Sequence, residues 1–440
     1  MISSRQAALL TLERCRKDDA WVSAVLDGVI KKEGLDRRDS SLATALVLDV
    51  LQNRTYYDFL ISRFCTLPPE KLEKRVLDIL RLGVCQLVSL DRIPPRAAVN
   101  ETVGLCASSG VPRASSLVNA VLRKIAENSD KLPEVPGVGT AEYLAVRYSH
   151  PLWLAEHFFR EKGYAFTEAL FAADNNRAPL DIQINTCRTT REDYLHRLQE
   201  RAIPYEIPPF PDACISLSGG SVGELPGFDE GLFFIQDRAA RTAVEIASLR
   251  SGMRVLDACA SPGGKSFAAA MDMDNRGEIV SCDIHEKKLS LIRESAGRLG
   301  LGLIRTECRD AREFASDYEN AFDAVIADVP CSGLGVLRKK PEIRSKKAEE
   351  IRSLPAIQRD ILANLARYVR PGGILLYCTC TILCRENENI IEEFLSAHAD
   401  YSPCDFAVGE RHSENGCYTF FPHIDRTDGF FVSKLIRKNG

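Results

Sequence analysis

No two cysteines in the 440-residue chain stand at CxxC spacing, which removes the usual zinc-site and thioredoxin-like signatures. No apolar run reaches the ~18–20 residues that span a bilayer. The start, Met1-Ile-Ser-Ser-Arg-Gln, lacks the basic flank and apolar core of a secretory signal. Internal repeats and low-complexity tracts are missing as well. Net charge is close to nil: 57 Lys and Arg against 61 Asp and Glu leave −4, which argues against a uniformly basic nucleic-acid binder. These absences predict a cytoplasmic chain with reduced thiols and with neither metal nor membrane among its partners. A composition of 45% hydrophobic and 27% charged residues is that of folded protein, and the length suits about three domains.

What is present is unevenly spread. Residues 1–130 carry 19 Lys and Arg against 16 Asp and Glu, a net of +3, so the remainder sums to −7. This first part reads as helical almost throughout. Pro68-Pro69-Glu70 marks a start, and Leu72, Val76, Ile79, Leu80, Gly83 and Leu87 follow at three- and four-residue steps. Ala97–Ser108 and Ser115–Asn128 continue an all-α bundle. Residues 131–140, rich in Pro and Gly, form a linker. Residues 141–235 begin helical, break at Ser149-His150-Pro151, and become a small α+β domain. It has a strand at Pro179–Asn185, a helix at Arg191–Arg201, an extended Ile203–Ser218 and a short strand after Leu232. From 236 to 440, strand-like runs (Met253–Ala258, Glu278–Asp283, Leu303–Thr306, Phe322–Asp328, Gly373–Cys378) alternate with helices such as Glu286–Gly300 and Ala356–Val369. That alternation predicts a Rossmann-like α/β domain, its parallel sheet covered on both faces. Ligands of such sheets bind beyond the carboxyl ends of the strands.

The strand ends carry the chemistry. After the first comes Asp257-Ala-Cys259-Ala260-Ser261-Pro262-Gly263-Gly264-Lys265-Ser266, a glycine turn opening a helix. It misses the Walker A pattern, because Cys259 stands where the first glycine belongs and Pro262 removes an amide from the phosphate cradle. Asp283 ends the second strand about twenty residues on, where a carboxylate can accept from both ribose hydroxyls of a nucleoside. Asp310 follows the third strand on the same rim. The fourth ends in Asp328-Val-Pro-Cys331-Ser-Gly and the fifth in Tyr377-Cys378-Thr379-Cys380-Thr381. Cys15, Cys85 and Cys106 read as small packed hydrophobes. Cys331 and Cys380, on the rim, suit thiol chemistry, which needs partial exposure and a tuned pKa.

Asp-x-Pro-Cys-Ser, Thr-Cys-Thr and Pro-Gly-Gly-Lys together resemble the motifs of the RNA cytosine-C5 methyltransferases. Ala98-Val-Asn-Glu101 and Leu117-Val-Asn-Ala-Val-Leu-Arg123 resemble the antitermination factor NusB. Tyr148-Ser-His-Pro-Leu-Trp153 and Phe234-Ile-Gln-Asp237 are similar to segments of bacterial Sun/RsmB-type 16S ribosomal RNA methyltransferases. The resemblance implies S-adenosyl-L-methionine as cofactor, 16S rRNA or a small-subunit precursor as partner, and a monomer that methylates C5 of one cytosine through a covalent cysteine adduct. It implies Cys380 as nucleophile, Cys331 as the thiol assisting release, and Asp328 on the N3/N4 edge of the base and near the cofactor. Residues 259–265 would face the methionine portion, Asp283 the ribose and Asp310 the adenine. Two points stay open: Cys378 also carries a thiol on the fifth strand, and Lys265 could reach cofactor, base or Asp328. The basic stretch Arg338–Arg352, seven Lys and Arg against three Glu, is expected to meet RNA phosphates. Phe430 and Phe431 read as parts of a closing strand. Rival readings are a tRNA-directed enzyme of the same class, a P-loop hydrolase and a non-catalytic RNA-binding assembly factor.

Overall fold

The computed structural model describes residues 2–18, 21–218 and 222–439. Two compact units divide the chain: one comprises the chain up to Asn176 together with Leu337–Lys347, the other Arg177–Val336 with the remainder from Ala348.

The first unit is helical: α1 Ser4–Asp18, α2 Val22–Glu33, α3 Arg37–Gln52, α4 Arg54–Phe64, α5 Lys74–Val88, α6 Pro95–Ser108, α7 Ser115–Glu127, α8 Ala141–Arg147, α9 Leu152–Lys162 and α10 Tyr164–Asp174. Side-chain caps start α3, where Asp36 accepts from Asp39 N, and α8, where Thr140 accepts from Tyr143 N. α5 is the hub, buried at every position from Val76 to Gln86. Its Arg81 is compensated by Asp58 and Asp78. Gly83 stands where a larger residue would extend the apolar face, because a Cβ there would lie 2.4 Å from Leu122 Cδ1 of α7. Gly83→Ala is expected to lower stability by about 1 kcal/mol in urea unfolding. The ~1 kcal/mol gain in helix propensity falls short of an overpacking cost of ~1–3 kcal/mol. An unchanged or raised midpoint would refute that packing. Residues 132–140 hold no regular element, yet Val135 is buried.

The second unit begins with an antiparallel sheet in the order β2-β3-β1-β4, formed by β1 Leu180–Ile184, β2 Tyr205–Glu206, β3 Cys214–Leu217 and β4 Phe233–Ile235. Helix α11, Arg191–Glu200, buries Tyr194 and Leu198 in the same cluster as the sheet's Ile182, Ile215 and Phe233. After α12 (Arg238–Ile246) comes the large sheet. Its elements are β5 Arg254–Asp257, α13 Gly264–Asp272, β6 Glu278–Asp283, α14 Glu286–Leu299, β7 Ile304–Cys308, β8 Phe322–Asp328, α15 Leu354–Ala366, β9 Val369–Thr379, α16 Glu388–Ala397 and β10 Tyr401–Pro403. A separate two-stranded ribbon (β11 Ala407–Val408, β12 Arg411–His412) precedes β13 Cys417–Phe420 and β14 Phe430–Arg437. β7, β6, β5, β8 and β9 are parallel neighbours in that order. The sheet is not parallel throughout. β14 inserts antiparallel beside β9, and β10 and β13 share the far edge of β14. Phe431 is fully buried and Phe430 nearly so, the structural role their alternation predicts.

Candidate active site

β5 pairs with both β6 and β8. The strand order therefore reverses at β5, and such a reversal opens a crevice at the carboxyl ends. Asp257 closes β5 on one side of that point and Asp328 closes β8 on the other. The turn after Asp257 folds back tightly: Ala260 N donates to Cys282 O at 2.7 Å, and Gly263 N to Ala260 O at 2.6 Å. Gly263 has φ +108°, and a Cβ there would sit 2.5 Å from the Phe267 ring, so only glycine fits. The Ser261–Pro262 peptide is cis, and the Pro262 ring faces solvent. A Cβ on Gly264 would come within 3.2 Å of Gln236 Nε2. Cys259 is partly covered, and burial pushes its thiol up.

Lys265, on the first turn of α13, is buried, with Nζ 2.6 Å from Asp328 Oδ2 and 5.0 Å from the centre of the Phe430 ring. Burial alone would push this ammonium down, but the neighbouring groups, Asp328 foremost, raise it above its ordinary value. The structure thus gives Lys265 the third of its open partners, Asp328.

Asp257 is fully buried. Its Oδ2 accepts from Ser266 Oγ at 2.7 Å, whereas Oδ1 has no hydrogen-bond partner among the described residues. Burial raises its carboxyl to about 7. The native state therefore keeps a proton that the unfolded chain sheds near 3.8, so this group's contribution to stability falls as pH rises from about 4 to 7. Asp257→Asn should flatten that part of the profile. Urea midpoints of parent and variant at pH 5 and 8 test it, and parallel profiles would refute it.

Asp283 lies at the end of β6, largely covered, and accepts from His285 N at 2.9 Å. Asp310 is gripped by the Arg312 guanidinium, Nη2 to Oδ2 at 2.6 Å, which holds its carboxyl below the ordinary value.

The two rim cysteines meet. Cys331 Sγ and Cys380 Sγ are 3.1 Å apart, both partly exposed. The hydrogen bond with Cys380, reinforced by burial, holds the Cys331 thiol far above its usual range. β9 ends at Thr379, so strand alternation does not carry on to Cys380. Cys378 stays wholly within the sheet, and burial keeps its thiol protonated.

The supporting shell was not legible as such. Glu386, fully buried, accepts from Ser332 N at 2.9 Å and from Gln358 Nε2 at 3.1 Å, and Gln358 also donates to Pro330 O at 3.0 Å. Both neighbours of Cys331 are held this way. On the facing loop, Thr379 Oγ1 bonds Asn387 Oδ1 at 2.6 Å while Asn387 Nδ2 donates to Thr381 O at 3.0 Å. Ser332 Oγ reaches Thr381 Oγ1 at 2.8 Å and links the two loops. Gly335 N donates to Cys380 O, and a Cβ on Gly335 would fall 1.9 Å from Gly429 O. The only sequence signals were the run Glu386-Asn387-Glu388 and the glycines after Cys331.

One expectation needs correcting. Arg344, within the basic stretch expected to meet phosphates, is buried in the helical unit. It donates to the carbonyls of Gln52, Tyr148 and Asp174 at 2.8–3.0 Å. Trp153 Nε1 also donates to Lys346 O, at 3.1 Å. A charge run read from sequence carries no sign of which of its members the fold buries.

An open α/β sheet whose order reverses beside a glycine turn, with acidic residues on successive strand ends and a thiol pair on the rim, defines a methyltransferase of the nucleoside-cofactor type. Three family models match: 16S rRNA methyltransferase RsmB/F over residues 245–436, the NusB family over 2–127, and the RsmF/B-like ferredoxin-like domain over 150–222. The chain is 33% identical over 446 residues to the probable ribosomal RNA small subunit methyltransferase B of Bacillus subtilis (strain 168), covering 99% of each. It is 32% identical over 444 residues to the similarly described protein of Synechocystis sp., again covering 99% of each. Among solved structures, PH0851 shares the fold over 99% of both chains with TM-score 0.82 at 24% identity. NSun6 from Pyrococcus horikoshii, crystallised with SFG, covers 65% of this chain and 97% of its own with TM-score 0.59 at 18% identity. The chain belongs to the RsmB/F family of 16S rRNA methyltransferases, enzymes that draw their methyl group from S-adenosyl-L-methionine. Among the described residues no helix is long and apolar enough to cross a membrane, and no cluster of side chains could hold a metal ion.

Proposed function

We propose that this methyltransferase modifies C5 of a specific cytosine in 16S rRNA through a transient bond between Cys380 and C6 of the base. The observation that carries the reading is the 3.1 Å approach of Cys331 and Cys380 beside the Lys265–Asp328 pair. C5 of cytosine is a weak nucleophile, and thiolate addition at C6 makes it enamine-like, which splits one hard step into two easier ones. The Cys380 sulfur forms the new C–S bond, while Asp328, held in place by Lys265, bonds the N3/N4 edge and stabilises the adduct. A base then takes the C5 proton, the electron pair left behind restores the C5–C6 double bond, and the C–S bond breaks with Cys380 leaving as a thiolate. Cys331 assists this release as that base or as a proton relay.

S-adenosyl-L-methionine, when bound, supplies the electrophilic methyl group. The residues suit it: a tight turn that only glycine at 263 allows, an unpartnered Asp257 oxygen and Asp283 on the next strand end. We assign Cys259, Ala260, Ser261, Pro262, Gly263, Gly264 and Lys265, with Asp328, to the methionine side, Asp283 to the ribose and Asp310 to the adenine. Residues 1–130 and 141–235, joined by 131–140, are assigned to RNA binding and 236–440 to catalysis. We take the chain to act as a monomer, and fifteen free cysteines suit the reducing cytoplasm. The test incubates the protein with labelled methyl donor and 16S rRNA, 30S particles or tRNA, followed by nucleoside analysis. Label in 5-methylcytosine of the ribosomal substrate is expected. Label confined to tRNA, or to another position of the base, would overturn the proposal.

A further inference from the structure

On the helical unit, α4 and the end of α8 set aromatic rings and guanidinium groups in alternation. Phe59 and Tyr56 share one face of α4, three residues apart, with ring centres 6.5 Å apart and planes inclined by 18°. Arg63, one turn beyond Phe59, lies over that ring at 4.9 Å. Arg147 lies over the Tyr56 ring at 5.3 Å and the Tyr148 ring at 5.5 Å. Both arginines are exposed, the three rings are half-buried, and neither arginine has a carboxylate partner among the described residues. The nearby acids are engaged elsewhere: Asp58 grips Arg81, and Glu168 accepts from the Tyr148 and Tyr164 hydroxyls.

The frame beneath is rigid. Tyr56 N donates to Ser149 Oγ at 2.9 Å, which ties α4 to the turn after α8. The Tyr148 carbonyl accepts from His150 Nδ1, Asn175 Nδ2 and Arg344 Nη1 at 2.8–3.1 Å. A strip fixed in this way loses little freedom on binding.

We infer that Tyr56, Phe59, Arg63, Arg147 and Tyr148 form a docking strip for an unpaired segment of the RNA substrate, a subsite remote in sequence from the catalytic motifs. This rests on the RNA-directed function proposed above. Rings receive bases by stacking regardless of sequence, and arginines beside them neutralise the phosphates between successive bases. A base–ring stack outweighs an exposed cation–π contact, so incoming bases displace the guanidinium groups from the rings toward the backbone. A duplex, whose bases stack on one another, cannot use the rings.

The test measures binding of the full chain to a 12-nucleotide oligouridylate and to a duplex of equal length over a range of salt. Arg63→Gln combined with Arg147→Gln should weaken oligouridylate binding roughly tenfold and reduce the slope of log affinity against log salt by about 1.4, two phosphate contacts' worth. Phe59→Leu, which keeps an apolar side chain against the helix, should weaken it roughly fivefold with the slope unchanged. Duplex affinity should stay within twofold in both. Unchanged oligouridylate affinity in both variants, or equal losses for the duplex, would overturn the strip. The readout is binding, so these losses would support the strip even if the parent chain methylated no 16S rRNA, a result that would count against the proposed function alone.

Discussion

Cys380→Ala is expected to fold normally and to form no detectable 5-methylcytosine, a loss on the order of 10⁴-fold or more. Neither Cys378 nor Cys331 offers a ready substitute. Cys378 is sealed inside the sheet with its thiol held protonated, and the Cys331 thiol is held far above its usual range. The same geometry predicts a different defect for Cys331→Ala. Bond formation at Cys380 survives, release slows, and protein–RNA complexes that resist denaturation accumulate with unlabelled or labelled donor. Single-turnover methyl transfer and denaturing gels separate the two outcomes. Residual turnover in Cys380→Ala, with loss of turnover in Cys378→Ala, would transfer the nucleophile's role to Cys378.

The second large effect concerns a residue that touches no reactant. Glu386→Ala removes the acceptor of the Ser332 amide and of Gln358, whose second partner is Pro330 O. Leaving those donors unsatisfied in a buried site costs about 1–3 kcal/mol each, and the loop carrying Cys331 loses its fixed position. A displacement of ~1 Å in such a site lowers rate about 100-fold. Glu386→Gln can still accept from Ser332 N through its side-chain oxygen, so it should recover part of the stability and more of the rate. The measurements are the urea midpoint and the single-turnover rate of both variants. A Glu386→Ala protein within threefold of the parent rate would remove the clamp from the account.

Much of this was readable in the chain because the signals are local. The period of three to four apolar residues marks α5 and α7, and apolar runs ending in Asp257, Asp283 and Asp328 mark three parallel strands and the rim where chemistry gathers. What stayed hidden depends on which distant segments meet. Nothing in the sequence around Glu386 marks it as buried, and only the fold brings Ser332 and Gln358 to it. Arg344 sits in a charge run that looks exposed, yet three backbone carbonyls of the helical unit satisfy its guanidinium. The antiparallel insertion of β14 beside β9 is equally non-local, since Phe430-Phe431-Val432 alternates identically on either side of a sheet. Lys265 could have met cofactor, base or carboxylate; the fold sets its Nζ 2.6 Å from Asp328 Oδ2, a contact between the ends of β5 and β8 that no spacing along the chain encodes.

The central claim is most directly tested by trapping the reaction in Cys331→Ala with 16S rRNA and the methyl donor, digesting the complex with nuclease and protease, and sequencing the cross-linked peptide by mass spectrometry. The account predicts a single peptide in which Cys380 carries a cytidine nucleotide with one added methyl group. A nucleotide on Cys378, or methylated rRNA with no cysteine–nucleotide bond at any stage of the reaction, would contradict it.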